Sequence, residues 1–532
     1  MAEEEKVRTH SLRDLLGEVE VLNRDALVDR GISGISGDSR QVGPGFLFVA
    51  VPGLRVDGHD YVHAAVEQGC GAVLVGPGRC RSWPRPDCVC VEVADTGKAL
   101  GQTAAAFFRH PARRLVMIGI TGTNGKTTST YLLESIIRQG GGNPGVIGTV
   151  SYRYNNVVLS APFTTPDSVA LQRMLSDMAD AGVTHVVMEV SSHALAQNRL
   201  AGVTFDVALF TNLSRDHLDF HGSMENYFVS KKSLFVEYLK QGGRAVVVRG
   251  ENAEEADHWA GRLTREVRES WGGAGRQMIE CGFASEEVAV LAAGETLAGT
   301  EAHLKTPAGE LRIRSAMVGR FNLKNILGAV GVGMALNIPG PVIEAGLAAA
   351  SAAPGRLERV IAPQGVGVFV DYAHTPDALE NVLLTMRRLT SGRLLVLFGC
   401  GGDRDRGKRA LMGMVAGRLA DVVVLTSDNP RSESPEVILA DIEEGLAALA
   451  VPRMRVEAMM HRRGTKGYDI IADRRTAIRT GIRCARAGDV VLICGKGHEN
   501  YQITRQGKTF FDDRVEAALQ SAVFREYGAE NG

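Results

Sequence analysis

Thr121-Gly-Thr-Asn-Gly-Lys-Thr-Thr128 is the stretch whose residue types and spacing point most directly to chemistry. It follows the apolar run Leu115–Ile120 and leads into Ser129-Thr-Tyr-Leu-Leu-Glu-Ser-Ile-Ile137, so a strand, a glycine-rich turn and a helix start are expected in that order. Glycines let backbone N–H groups converge on phosphate oxygens, and the helix N-terminus adds its positive partial charge. Lys126 is expected to reach the outer phosphates of a nucleoside triphosphate, and Thr127 to offer its hydroxyl to Mg²⁺. The strict G-x-x-x-x-G-K-[ST] pattern places glycine at position 120, where this chain has Ile.

Further reactive groups cluster after other apolar runs. Glu189-Val-Ser-Ser-His193 ends a buried strand pattern, and a carboxylate there is a candidate magnesium ligand. Thr211-Asn-Leu-Ser-Arg-Asp-His217-Leu-Asp-Phe-His221 is too polar for a core element; His217 is expected to bind a metal or to orient another group. Lys231 and Lys232 open a helical pattern, a position that the helix dipole disfavours for cations, and a solvent-facing pair is the plain expectation. Thr164, Thr165, Ser191, Gln197 and Arg199 supply hydroxyls, an amide and a guanidinium that suit an anionic peptide. Gly399-Cys-Gly-Gly-Asp-Arg404-Asp-Arg-Gly-Lys408 reads as a glycine-rich anion nest. Asp428-Asn429-Pro430-Arg431 and Gly495-Lys-Gly-His-Glu499 each follow a strand pattern.

Positioning these groups requires an α/β framework. The chain has 532 residues, enough for about three domains. Residues 1–113 contain strand patterns at Phe46–Val51, Ala72–Val75 and Cys88–Val93, and a helix stopped at Pro111. Residues 114–354 alternate strands and helices as a parallel sheet does, with 250–275 expected as a surface excursion. Residues 355–532 repeat the theme as a second, Rossmann-like doubly wound domain. With 60 basic and 61 acidic residues the net charge is −1, so no nucleic-acid surface is expected. Met1-Ala-Glu-Glu-Glu-Lys lacks the order of a signal peptide, and no apolar run reaches membrane-spanning length. The eight cysteines have no zinc spacing and read as reduced thiols of a cytoplasmic enzyme.

Gly122-Thr-Asn-Gly-Lys-Thr127, with Ile at 120, resembles the ATP loop of the Mur ligases and folylpolyglutamate synthetases, which join an amino acid to a carboxylate. The later motifs fall in Mur-ligase order along nearly the whole chain. The resemblance implies three α/β domains that hold a UDP-linked peptide, ATP and an amino acid. It places ATP on the 121–128 loop (Thr121, Gly122, Thr123, Asn124, Gly125, Lys126, Thr127, Thr128), on Asn322 and Asn325, and on Asp371 and His374. It places the UDP-peptide on Ser39, Thr164, Thr165, Ser191, Gln197 and Arg199. His217-Leu-Asp-Phe-His-Gly-Ser-Met-Glu-Asn-Tyr-Phe-Val-Ser-Lys231 aligns with the stretch carrying the family's carbamylated lysine, so Lys231 is expected to carry a carbamate from CO₂ and, with Thr127, Glu189 and His217, to hold Mg²⁺. Lys126, Lys231, His217 and Glu189 are the implied catalytic set.

Asp428-Asn-Pro-Arg431 resembles the branch that adds meso-2,6-diaminopimelate to UDP-N-acetylmuramoyl-L-alanyl-D-glutamate, with Arg404, Asp428, Asn429, Pro430, Arg431, Gly495 and Glu499 around the amino acid. A lysine-adding relative, a folylpolyglutamate-type ligase and a non-catalytic nucleotide switch are the alternatives. A monomer is expected.

Overall fold

The computed structural model describes residues 9–53, 56–80, 87–251, 258–273, 275–284, 286–362, 365–461 and 465–530, so the opening Met1–Lys6 segment lies outside the described residues. The chain forms two compact units: Met1–Leu291 with Leu304–Leu311 and Lys324–Leu347, and Ala292–His303 with Arg312–Leu323 and Ala348–Gly532. Among the described residues no helix is long and apolar enough to cross a membrane.

The first unit contains a small sheet of Gly34–Ser36, Phe46–Val49, Ala72–Val75 and Val89–Glu92, parallel throughout. Side chains alternate across it. Leu47, Val49, Leu74 and Val91 pack with Leu12 and Leu15 on one face, while Phe48, Val73 and Val75 pack with Val42 and Ala65 on the other. Burial on both faces explains why these strands read as unbroken apolar runs. The expectation of eight reduced thiols fails here: Cys80 and Cys90 form a disulfide, and the other six cysteines remain thiols. Cys80 lies against the strand that holds Cys90, a meeting that linear spacing does not reveal.

The large sheet of this unit runs, in spatial order, through Pro144–Ile147, His185–Glu189, Val116–Thr121, Phe205–Phe210, Leu239–Val248 and Gln277–Gly282, all parallel. An antiparallel ribbon, Ser151–Tyr154 with Val157–Ser160, continues it beyond Pro144–Ile147. In the central register Glu189 pairs with Ile120, and Phe210 with Thr121. Three carboxyl ends therefore leave the sheet side by side, where ligands of open α/β sheets sit.

Two expectations are corrected in this unit. The 250–275 segment is no excursion: His258–Trp271 is a helix that buries Ala260, Leu263, Val267 and Trp271, although residues 252–257 and 274 lie outside the described residues. Its charged outer face hid an apolar stripe at helical spacing. Nor does a helix begin at Lys231. The helix is Met224–Val236, started by Ser223, whose side chain accepts from Asn226 N, so Lys231 lies well inside it and the dipole objection to a cation at a helix start falls away.

The two sheets of this unit are tightly seated against each other through the helix Thr96–Phe107. A Cβ at Gly101 would stand 2.5 Å from the Ala201 carbonyl oxygen, and one at Gly202 would stand 2.6 Å from Ala105 Cβ, so only hydrogens permit this contact. Asn198 Nδ2 donates to Asp95 Oδ2 at 3.0 Å, and Arg113 pairs with Glu18 at 2.5 Å.

The second unit is built on Glu358–Val360, Gly367–Asp371, Val490–Cys494, Leu394–Phe398, Val422–Leu425 and Gly467–Ile470, in that order, parallel except for the first pair. Leu379, Leu383, Met412, Ala416, Leu439 and Ile442 cover one face from three helices, and Met459, Ile478, Ile482 and Ala517 cover the other. Helices on both faces make it doubly wound, as expected. A hairpin, Tyr501–Thr504 with Gly507–Phe510, and the helix Asp513–Glu530 complete it.

Candidate active site

Position 120 belongs to the sheet. Ile120 is fully buried and its carbonyl accepts from Val190 N at 2.8 Å; the strand runs on through Thr121, whose hydroxyl donates to Val190 O at 3.0 Å, and the bend starts at Gly122. In place of a leading glycine, the neighbouring strand end clasps the loop. Thr123 N donates to Asn212 O at 3.0 Å, Asn124 N to Asn212 Oδ1 at 3.0 Å, and Thr211 Oγ1 to Asn124 O at 2.6 Å. The helix Lys126–Gln139 follows, with Thr127 and Thr128 buried in its first turn. Lys126 Nζ donates to the carbonyls of Gly122 and Thr123, both at 2.9 Å. Asn325 abuts the same loop: a Cβ at Gly125 would be 2.2 Å from its Oδ1.

Glu189 and Thr127 meet as expected. Glu189 is 1% exposed; its Oε2 accepts from Thr127 Oγ1 at 3.1 Å and Thr149 Oγ1 at 3.0 Å, and its Oε1 accepts from Thr149 N at 2.9 Å. A Cβ at Gly148 would lie 2.5 Å from Oε1, so the chain leaves room around this carboxylate. An all-oxygen donor set beside a phosphate loop fits a hard divalent cation such as Mg²⁺.

Lys231 is 1% exposed, against the solvent-facing expectation; its Nζ donates to Gly122 O at 2.9 Å and lies 4.5 Å from the Tyr227 ring centroid. Burial, with the charge of Lys126 adding to it, pushes its ammonium well below the usual lysine range. Desolvating an isolated ammonium costs several kcal/mol, so the neutral amine is favoured. Lys232 does face outward, paired with Glu266 at 2.7 Å. His217 lies across Tyr227 at 6.0 Å between rings and edge-on to His193 at 4.9 Å. Among the described residues no hydrogen bond joins it to Thr127 or Glu189. His221, which sequence reasoning passed over, is buried with Nε2 2.9 Å from Ser192 Oγ; burial, then His193, pulls its pKa down to about 4, so it is a neutral imidazole. The His217/His221 spacing at i, i+4 was the signal available for it.

The hydroxyl and guanidinium groups expected around a peptide converge beside Glu189. Thr165 Oγ1 donates to Glu189 O at 2.8 Å and accepts from Ser191 N at 3.1 Å; Thr164 Oγ1 is 3.1 Å from Thr149 Oγ1. Arg199 reaches Gln197 Oε1 at 2.9 Å and Thr165 O at 3.2 Å. Ser39 follows the small-sheet strand Gly34–Ser36, in the short turn Ser39–Gln41 capped by Asp38.

In the second unit, Asp371 accepts from Leu357 N at 2.7 Å and Ala373 N at 2.8 Å, and burial raises its carboxyl while Arg356 and these amides oppose the shift. The His374 ring lies tilted beside that of Tyr372, 4.6 Å between centroids, and Asn322 Nδ2 donates to Val318 O at 2.8 Å. The amino-acid candidates assemble at the ends of two strands. Asn429 Nδ2 donates to Glu499 Oε2 at 2.8 Å, and a Cβ at Gly495 would be 2.8 Å from Asp428 Oδ2. Arg431, held at φ 53°, donates from NH1 to Gly402 O at 2.7 Å; a Cβ at Gly402 would be 1.9 Å from Pro430 O, so the 399–408 loop lies against this one. Arg404 is exposed on that same loop.

Comparison with known proteins agrees along the chain. Residues 31–108 match the Mur ligase family catalytic domain, 120–333 the Mur ligase middle domain, and 355–497 the Mur ligase glutamate ligase domain. A protein of Geobacter metallireducens, UDP-N-acetylmuramoyl-L-alanyl-D-glutamate--2,6-diaminopimelate ligase, is 44% identical over 509 residues, 94% of this chain and 95% of its own. The chain belongs to the Mur ligase family. A ligase of the same name from Parasynechococcus marenigrum is 42% identical, covering 95% of this Mur ligase and 98% of that protein. A solved structure of a ligase of that name superposes with a TM-score of 0.70 at 32% identity, over 97% of this chain and 99% of that one. The MurF ligase of Thermotoga maritima in complex with ADP shares the fold, with a TM-score of 0.55 at 18% identity over 94% and 98% of the two chains.

The clasped loop of this Mur ligase yields a first test. At Gly122 φ is +150°, and an added Cβ would meet Thr211 Oγ1 at 1.9 Å. Overpacking of this kind costs roughly 1–3 kcal/mol, so Gly122→Ala is expected to weaken ATP binding by roughly ten- to hundredfold in calorimetric titration. Wild-type affinity in that variant would show that the clasp does not set the loop.

Proposed function

We propose that this Mur ligase uses ATP to join meso-2,6-diaminopimelate to the D-glutamate γ-carboxylate of UDP-N-acetylmuramoyl-L-alanyl-D-glutamate, as a cytoplasmic monomer supplying peptidoglycan precursors without a nucleic-acid partner. The observation that carries the reading is that Asn429 donates to Glu499 with Asp428 next to it in the chain, while Arg431 follows on the same loop with its guanidinium on Gly402 O: carboxylates and an arginine supplied by one loop suit an amino-acid end bearing both an amine and a carboxylate. Full-length relatives named for this reaction support it.

Residues 1–113 hold the uridine end through the Ser39 segment, 114–354 hold ATP and the peptide, and 355–532 hold the amino acid. Thr164, Thr165, Ser191, Gln197 and Arg199 orient the peptide so that a γ-carboxylate oxygen faces the terminal phosphorus of ATP. The oxygen attacks, the bond to the ADP oxygen breaks, and an acyl phosphate forms. The diaminopimelate amine then attacks the acyl carbon, phosphate departs, and the amine loses a proton as the amide forms. Lys126 and the amides of 121–128 gather the phosphate charge, Asn325 braces the loop, and Asn322, Asp371 and His374 receive the nucleoside. Catalysis is mainly positioning and charge neutralisation. Thr127 and Glu189 would hold Mg²⁺, which when bound neutralises phosphate charge. His217 and a carbamate on Lys231 would hold a second cation. The burial that lowers the ammonium of Lys231 supports this, because only an unprotonated amine adds to CO₂, releasing a proton and leaving an anion.

Phosphate release with UDP-N-acetylmuramoyl-L-alanyl-D-glutamate and ATP tests the reading. Release is expected with diaminopimelate and at most weakly with lysine. Equal rates would assign the chain to a different branch, and no release with either amino acid would refute the proposal.

A further inference from the structure

Sequence reasoning passed over one cation in the second unit. Lys496 is 0% exposed, and its Nζ lies 3.2 Å from Asn429 Oδ1, 3.3 Å from Glu499 Oε2 and 3.9 Å from Asp428 Oδ1. A buried ammonium is tolerated only among acceptors, and each acceptor here belongs to the proposed amino-acid site. The Asn429 amide is used at both ends: Nδ2 donates to Glu499 Oε2 at 2.8 Å, and Oδ1 accepts from Lys496 and from Ile503 N at 2.9 Å. Among the described residues both bonds to Glu499 end on Oε2, which leaves Oε1 of a side chain 19% exposed as the oxygen a ligand can reach. The second buried cation nearby, Arg474, is committed elsewhere: it pairs with Asp513 at 2.6 Å and donates to Ser427 O and Cys494 O.

We infer that Lys496 is a positioning residue of the amino-acid site: its buried charge holds Asp428 and Glu499 as fixed acceptors for the distal ammonium of a diamino acid, without touching that substrate. The inference rests on the amino-acid assignment proposed above. Two close carboxylates without a cation tend to share a proton, and a protonated carboxyl receives an ammonium poorly.

2-Aminopimelate separates this role from simple structural support, because it keeps one reacting amine and the distal carboxylate but lacks the distal ammonium. Wild-type enzyme is expected to favour diaminopimelate over it. In Lys496→Met the diaminopimelate KM should rise roughly ten- to hundredfold with kcat within about twofold, while the Michaelis constant for the monoamino analogue hardly moves. The preference between the two should then collapse. Equal weakening of both substrates, or a preserved preference, would overturn the inference. If Lys496→Met fails to fold by circular dichroism, Lys496→Gln, which can still donate to Asn429, is measured against the same criteria. A wild-type enzyme that uses lysine as readily as diaminopimelate would instead overturn the site assignment itself.

Discussion

Lys231→Ala is expected to lower ligase turnover by roughly 10²–10³-fold, the scale for deleting one preorganised charge at a reacting centre, and to recover in part with added formate or acetate. Removal of the side chain has two separable consequences. Gly122 O loses a donor at 2.9 Å, a local defect in the loop. The proposed carbamate anion would also be lost, and only this second loss could be repaired by a small carboxylate entering the space left behind. Lys231→Met fills that space, so it should resist rescue. Carbon-13-labelled bicarbonate should give a carbamate signal in wild-type protein that is missing from both variants. Normal turnover in Lys231→Ala would eliminate the carbamate, and loss without rescue would reduce Lys231 to a brace for the loop.

Arg431→Ala is expected to cost roughly 2–5 kcal/mol in diaminopimelate binding, the range for stripping one partner from a desolvated charge pair. That is a rise of roughly 30-fold to several thousandfold in its KM. The lysine reaction, weak at the outset, should hardly change, because lysine has no distal carboxylate to lose. ATP and UDP-peptide constants should stay near wild type. Arg431→Lys should rescue only part, since an ammonium cannot reproduce a two-pronged contact. Arg431 is a non-glycine residue at φ 53°, and Arg431 N donates to Ile503 O at 3.0 Å. Such backbone strain recurs at ligand clamps. If the residue only ties the loop to Gly402 O, both amino acids would suffer alike.

Long parallel strands were legible because they are buried on both faces, so His185–Glu189 and Val490–Cys494 stand out as apolar runs. The phosphate loop was legible from its glycines and Lys-Thr pair. Its missing glycine was legible as a departure, but the clasp from Thr211 and Asn212 was not, because it depends on which strand lies next to Val116–Thr121. Lysine favours solvent so strongly that burial of Lys231 and Lys496 cannot be read from residue type. Only three-dimensional neighbours, the Gly122 carbonyl for one and Asn429 with Glu499 for the other, account for them. The helix His258–Trp271 was missed for the opposite reason: its polar outer face dominated its composition and masked the spacing of Leu263, Val267 and Trp271.

The seam where Gly101 meets the Ala201 carbonyl has a consequence for substrate length. It lies two residues past Arg199, which is bonded to Thr165 beside Glu189, so the small sheet and the peptide cluster are joined by a contact that leaves no slack. If, as proposed, Ser39 grips the uridine and the reacting carboxylate sits beside Glu189, the distance between the two would work as a calliper of fixed opening. A UDP-muramoyl chain one residue shorter would then fall short of it, and one already bearing a third residue would carry its end past the terminal phosphorus. On that reading the order in which residues are added to the growing peptide would be written into the packing of two glycines, far from any group that reacts.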